Sequence, residues 1–158
     1  MELGLRGKTA LVLGAGGGLG GAIAQALARE GARVAIGDVH QESLEKTLDA
    51  ITQAGSEGLP LVWDLADLAR IDEMVGRIEQ RFAHIDVLVN VTGGPPPTPV
   101  AGQSPELWAR HFQSMVLAVI ALTDRILASG PPTSPARSSG STAGSSRASR
   151  RTQQGGQR

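Results

Sequence analysis

Six glycines fall within the eight residues from Gly14 to Gly21. Before them runs an apolar stretch, Thr9 to Leu13; after them, small and aliphatic residues recur at helical spacing as far as Glu30. That order predicts a strand, a tight turn and a helix. Glycine suits such a turn for three reasons: the backbone can bend sharply, an anion can approach main-chain N–H groups without meeting a Cβ, and the helix can pack closely on the strand. A dinucleotide pyrophosphate is the expected ligand. Two glycine frames fit: Gly16, Gly18 and Gly21 spell G-x-G-x-x-G, and Gly14, Gly18 and Gly20 spell G-x-x-x-G-x-G. The second is preferred, because its first glycine stands where the strand must turn.

From Lys8 to Val91 the pattern keeps alternating. Strands are expected at Lys8–Leu13, Arg33–Gly37, Leu59–Trp63 and Ile85–Val91. Between them helices are expected at 18–30 and 42–54, closed by Gly31 and Gly55, and from about 68 to 82, capped by Asp67. Apolar strands separated by amphipathic helices imply an α/β fold with a doubly wound parallel sheet, joined by right-handed crossovers. After a proline-rich loop at 95–99, Ser104-Pro105 is an N-cap followed by a first-turn proline, opening a long helix at 106–127. Its apolar side is expected to cover the sheet or a partner subunit.

The chain has 158 residues, 41% of them hydrophobic and 19% charged, enough for one globular domain. Its zero net charge conceals a division: all 15 acidic residues lie at or before Asp124, so residues 1–128 carry −5 and 129–158 carry +5. Apart from prolines, 129–158 holds only Ala136, Ala143 and Ala148 as apolar residues, too few to offset the entropy of ordering. The expected organisation is therefore a nucleotide-binding domain at 1–128 and a disordered Ser/Gly/Arg-rich tail at 129–158. The tail's five arginines lack interleaved aromatics for stacking on bases, so nucleic acid is not an expected partner. With no cysteine, no thiol metal site or disulfide framework is expected; no metal-binding group is assigned. No uninterrupted apolar run reaches the length of a membrane span and no secretory signal is recognised, so the expected location is cytoplasmic, away from membranes.

Asp38 ends the second strand, 18 residues after Gly20. A carboxylate there can accept hydrogen bonds from both hydroxyls of an adenosine ribose. It would also repel a 2′-phosphate by about 4 kcal/mol at 4 Å and an effective dielectric near 20, which favours NAD over NADP. Asp64-Leu65 and Asn90-Val91-Thr92-Gly93 follow the third and fourth strands, on the rim where open α/β sheets bind ligands.

Taken together, these motifs resemble the short-chain dehydrogenase/reductase family over about residues 5–128. The family's T-G-x-x-x-G-x-G matches Leu13-Gly14-Ala15-Gly16-Gly17-Gly18-Leu19-Gly20, its acidic residue after the second strand matches Asp38, and its Asp-aliphatic pair bordering the adenine matches Asp64-Leu65. Its N-N-A-G matches Asn90-Val91-Thr92-Gly93. The resemblance implies a Rossmann-type fold that binds a nicotinamide dinucleotide through Gly14, Gly16, Gly17, Gly18, Leu19, Gly20, Asp38, Asp64, Leu65, Asn90, Thr92 and Gly93. It also implies an oxidoreductase by descent, moving hydride between an alcohol and a carbonyl.

The departures concern catalysis. Met115 stands where the family has its catalytic asparagine, the sequence contains no tyrosine for a Tyr-x-x-x-Lys, and its last lysine is Lys46. No catalytic residue is assigned, and the chain is expected to be truncated after its coenzyme-binding half. Shifting serine TCN codons by one base gives Phe, Leu, Ile or Val codons, so the tail is expected to be out-of-frame translation beginning near Leu127. Two alternatives remain open: a non-catalytic NAD- or ADP-binding module that pairs with a full-length relative through helix 106–127, and an S-adenosylmethionine-dependent methyltransferase.

Overall fold

The computed structural model describes residues 3–95, 97, 99 and 101–130. Strands and helices alternate as β1 (Thr9–Leu13), α1 (Gly18–Arg29), β2 (Arg33–Asp38), α2 (Gln41–Gln53), β3 (Gly58–Val62), α3 (Ile71–Phe82) and β4 (Val87–Asn90). Then come α4 (Pro105–Phe112), a π-helical turn at Gln113–Leu117 and α5 (Ala118–Ser129). All four strands are parallel, in the order β3-β2-β1-β4. This is the Rossmann-like α/β arrangement expected. The chain winds outward from β1 to β3, then crosses back to lay β4 on the other side of β1.

Period-two alternation along the strands divides the interior into two cores. Val12, Val34 and Ile36 face α1 and α2, where Ala24, Ala28, Leu44 and Ile51 are buried. Leu11, Leu13 and Ala35 face the other way, against Met74, Val75, Ile78 and Phe82 of α3 and Leu122 of α5. Small residues at 24 and 28 let α1 lie close to the sheet. Gly31 (φ 85°) and Gly55 (φ 80°) take the left-handed conformation that ends α1 and α2.

Several expected boundaries move for identifiable reasons. Asp67 precedes a single 3-10 turn (Leu68–Arg70) and makes no side-chain cap; the α-helix starts only at Ile71. β4 starts at Val87, because Asp86 is used as a clasp: its N–H donates to the Thr9 carbonyl, and its carboxylate accepts the Thr9 N–H and the Lys8 ammonium, each at 2.9 Å. Burial pushes the Asp86 carboxyl up, but these bonds and nearby His84 outweigh it and hold the group below its ordinary value. Ser104 caps α4 as expected, its hydroxyl accepting the Leu107 N–H at 3.2 Å. Ser129, placed by the sequence in the tail, is helical and donates back to Arg125 and Ile126. The rest of the expected disordered tail, from 131 on, lies outside the described residues.

Pro105–Ser129 is a continuous helix of 25 residues, with a mean hydropathy of 1.4 over an 18-residue window, long and apolar enough to cross a membrane by length and composition. Its longest uninterrupted apolar run, Met115 to Leu122, is bounded by Ser114 and Thr123, with Asp124 and Arg125 beyond. In this fold its C-terminal half packs on the domain: Ala118 and Leu122 are buried, and Arg125 bonds Asp72 at 2.8 Å and both oxygens of Glu79 at 3.0 and 3.1 Å.

The Glu79 carboxyl is held below its ordinary value by Arg125 first and by Ser129 second, against the upward push of burial. With a lowered value in the folded state, this stabilisation is fully present above the ordinary carboxylate range and is lost as pH falls through the lowered value. Arg125→Met is expected to cost about 1 kcal/mol at neutral pH. Urea titrations of parent and variant check this: the gap should close in acid, and a gap that persists there would refute the ion pair as its source.

Candidate functional site

The carboxyl ends of all four strands open onto one cleft of about 590 Å³. It lies beside the point where the winding reverses, between β1 and β4, the place where open α/β sheets take ligands. Its floor is the glycine turn. Gly14 leaves β1 with φ 65°, and a Cβ there would run into the Val91 carbonyl; a Cβ on Gly20 would run into the Gly14 carbonyl. These two glycines let β1, α1 and the β4 end converge.

Neighbouring elements tie the turn down. The Ala15 N–H donates to the Gly37 carbonyl at 3.1 Å, the Ala15 carbonyl accepts the buried Thr47 hydroxyl at 2.8 Å, and the Gly16 N–H donates to Asp38 Oδ2 at 3.0 Å. Gly16 must be small, since a Cβ would come within 2.8 Å of both Asp38 Cγ and Ser43 Cβ. Asp38 Oδ1 accepts the His40 N–H at 3.1 Å and lies 3.3 Å from the His40 ring Nδ1. Held on both oxygens, the carboxylate is aimed into the cleft from the end of β2. Gly18 is different: a Cβ there would meet nothing within 4 Å. No side chain caps α1, and helix geometry leaves the N–H groups of Gly18, Leu19 and Gly20 without intrahelical acceptors.

Of the residues singled out in the sequence, Gly14, Gly16, Gly17, Asp38, Asp64, Leu65, Thr92 and Gly93 line the cleft. Gly18, Leu19, Gly20 and Asn90 do not. Gly20 is buried against the turn, Leu19 is exposed, and Asn90 closes β4 opposite Leu13. On the β3 side, Asp64 Oδ1 accepts the Ala66 N–H at 2.9 Å, and Trp63 and Leu65 contribute apolar wall.

Sequence reading missed the wall contributed by α4 and the turn after it. Arg110, His111 and Ser114 reach the cleft, and Arg110 Nη2 stands 3.8 Å from Asp64 Oδ2. Helical periodicity marks the apolar side of this helix but not the direction in which its polar side points. Met115 does not line the cleft.

The residues present suit a nucleotide. An uncapped helix N-terminus and a turn with no side chains offer donors and space for a diphosphate. The Asp38 carboxylate offers acceptors for hydroxyls, and Leu65, Trp63 and Val91 contribute apolar lining.

Comparison with known proteins agrees. A family profile described as short chain dehydrogenase matches residues 8–141. The 2,3-dihydro-2,3-dihydroxybenzoate dehydrogenase of Bacillus subtilis is 38% identical over 109 residues, covering 69% of this chain and 42% of that protein. Among solved structures, NAD+-bound xylitol dehydrogenase superposes with a TM-score of 0.73 at 28% identity, covering 79% of this chain and 48% of its own. L-sorbose reductase from Gluconobacter frateurii, complexed with NADPH and L-sorbose, gives 0.77 at 25% identity, covering 82% and 49%. The chain thus spans about half the length of the relatives it matches. These relatives are dehydrogenases and reductases, and they lend no support to the methyltransferase alternative. By its sequence match and its fold alike, the chain belongs to the short chain dehydrogenase family.

Proposed function

We propose that this chain is the coenzyme-binding half of an NAD-dependent oxidoreductase acting on an alcohol/carbonyl pair, with residues 1–128 forming the nucleotide-binding domain. The observation that carries this reading is the convergence of the open glycine turn, Asp38 and the Asp64-Leu65 turn on one cleft. In the proposed pose the N–H groups at the start of α1 hold the diphosphate, Asp38 accepts from the adenosine ribose hydroxyls, and Asp64-Leu65 borders the adenine. Bound in this way, the coenzyme would supply the hydride acceptor or donor. Gly17 and Val39, which line the cleft beside Asp38, carry no charge, and His40 is already engaged with Asp38 Oδ1, so the carboxylate is expected to disfavour a 2′-phosphate.

In this reading the residues assigned above bind and orient the coenzyme, and none of them is given the task of moving the hydroxyl proton. Among its 158 residues there is no tyrosine, and Lys46 is on α2, on the adenosine side of the proposed pose. Loss of a general acid/base lowers such a rate by about 10² to 10⁴. That composition favours a second reading, a binding module that completes its chemistry only with a partner. A stripe of exposed apolar residues along α4 and α5 (Trp108, Phe112, Val116 and Ile120) supports pairing with another copy or a relative through this helix.

Calorimetric titration of the purified chain should show saturable NAD binding, at least about tenfold weaker binding of NADP, and at least a tenfold loss for NAD in Asp38→Ala. Equal affinity for the two coenzymes would sink the role given to Asp38; no binding of either would sink the coenzyme reading. Two glycines separate fold from ligand. Gly14→Ala is expected to cost about 3 kcal/mol or more in stability, because it forces a left-handed alanine against the Val91 carbonyl. Gly18→Ala should leave stability unchanged, or raise it by up to about 1 kcal/mol, yet weaken NAD by about tenfold or more. Undiminished NAD affinity in Gly18→Ala would show that the diphosphate does not lie on this turn.

A further inference from the structure

The loop after β3 closes as a turn in which the Asp67 N–H donates to the Asp64 carbonyl at 2.9 Å, while the Ala66 N–H donates to Asp64 Oδ1 at the same distance. The direction of the Asp64 carboxylate is therefore set by the turn. One peptide group, Ala66–Asp67, is held from both ends. Its N–H is engaged by the Asp64 carbonyl, and its carbonyl accepts the side-chain amide of Gln113, which lies 47 residues further along the chain. Gln113 opens the π-helical turn. Phe112 before it and Met115, Val116 and Leu117 after Ser114 are apolar, and the amide's partner is the distant Ala66 carbonyl. Arg110, one turn earlier, leans towards the same loop, but it and Asp64 are largely exposed, and such a pair contributes little. π-Turns cluster at functional sites, since the extra residue re-aims the side chains around it.

We propose that Gln113 is a positioning residue for the adenine end of the cleft, locking the Ala66–Asp67 peptide so that the Asp64 carboxylate meets the exocyclic amino group of the coenzyme. This rests on the coenzyme reading above and adds to it a contact delivered from helix to loop. Gln113 does not touch the ligand. Its effect is to keep an acceptor fixed where the adenine presents a donor, which makes it a determinant of base selectivity rather than of general affinity.

The test compares NAD with nicotinamide hypoxanthine dinucleotide, in which a ring carbonyl replaces the adenine amino group. Calorimetric affinities are measured for both ligands with the full chain, Gln113→Leu and Gln113→Glu; the last variant turns an acceptor towards the Ala66 carbonyl, and either variant suffices should the other not fold. The parent should prefer NAD by about fivefold or more, the gain from one hydrogen bond in place of a repulsive contact. Each variant should lose about fivefold for NAD and almost nothing for the analogue, bringing the ratio close to one. A purely structural amide would weaken both ligands together or neither; an unchanged ratio in the variants, or a parent that does not distinguish the ligands, overturns the proposal. A parent that binds neither ligand overturns instead the coenzyme reading beneath it.

Discussion

Everything at the cleft depends on how closely α1 approaches the end of β1. The Gly14 carbonyl is the contact point: it accepts the Gly17 N–H at 3.2 Å, and it occupies the space where any side chain at position 20 would begin. Behind it, Val91 closes off the space where a side chain at position 14 would begin. Two absent side chains thus bring the start of a helix, the end of a central strand and the end of its neighbour together. Glycine is entropically costly to order, by roughly 0.5–1 kcal/mol relative to alanine at a regular position, so a run of them is a poor way to build stability alone.

The cost is offset locally by tethers to the rest of the sheet. Ala15 is held from β2 through Gly37 and from α2 through Thr47, and Gly16 is held by Asp38. Asp38 therefore has two tasks. It fixes the turn from which phosphate donors project, and it presents acceptors to whatever lies beside them. Because one carboxylate ties the turn to the end of β2, the two cannot drift independently, which is the pre-organisation that the proposed dinucleotide site would require. Two N–H donors, from Gly16 and His40, also keep the carboxylate from swinging out into solvent in the absence of ligand.

Local chemistry explains what could be read in the residues. The glycine turn, the left-handed caps at Gly31 and Gly55, Ser104-Pro105 and the strand–helix alternation are signals carried within a few residues, and each is found where it was expected. The features missed are all long-range. Thr47 looks like a polar residue on an amphipathic helix until α2 is placed on the sheet, when its hydroxyl falls on the Ala15 carbonyl. Arg110, His111 and Ser114 are cleft residues only because α4 and the π-helical turn meet the loop after β3, through Arg110 at Asp64 and Gln113 at Ala66. Asp67 misled in the opposite sense: its spacing is that of a cap, but the 3-10 turn displaced the helix start by three residues.

Both cores hold fully buried residues, and what stays open is the β4 end of the sheet. On the α1/α2 side the central strand residues are fully buried by their own neighbours. On the far side of β1 the enclosure is looser: Val87, Leu88 and Val89 are only half-buried, and among the described residues β4 has β1 as its one strand neighbour. An apolar strand with an open edge favours association, and the exposed stripe on α4 and α5 adds to it. The part of the cleft built on β2 and β3 is thus independent of whatever seals β4, whereas the Val91–Gly94 wall is not. A nucleotide held mainly by the first three strands would stabilise that side by mass action, about 2.7 kcal/mol at a hundredfold excess over its dissociation constant. A ligand held by those strands would leave the β4 side to be closed separately, because the sheet is wound outward from β1 in two directions.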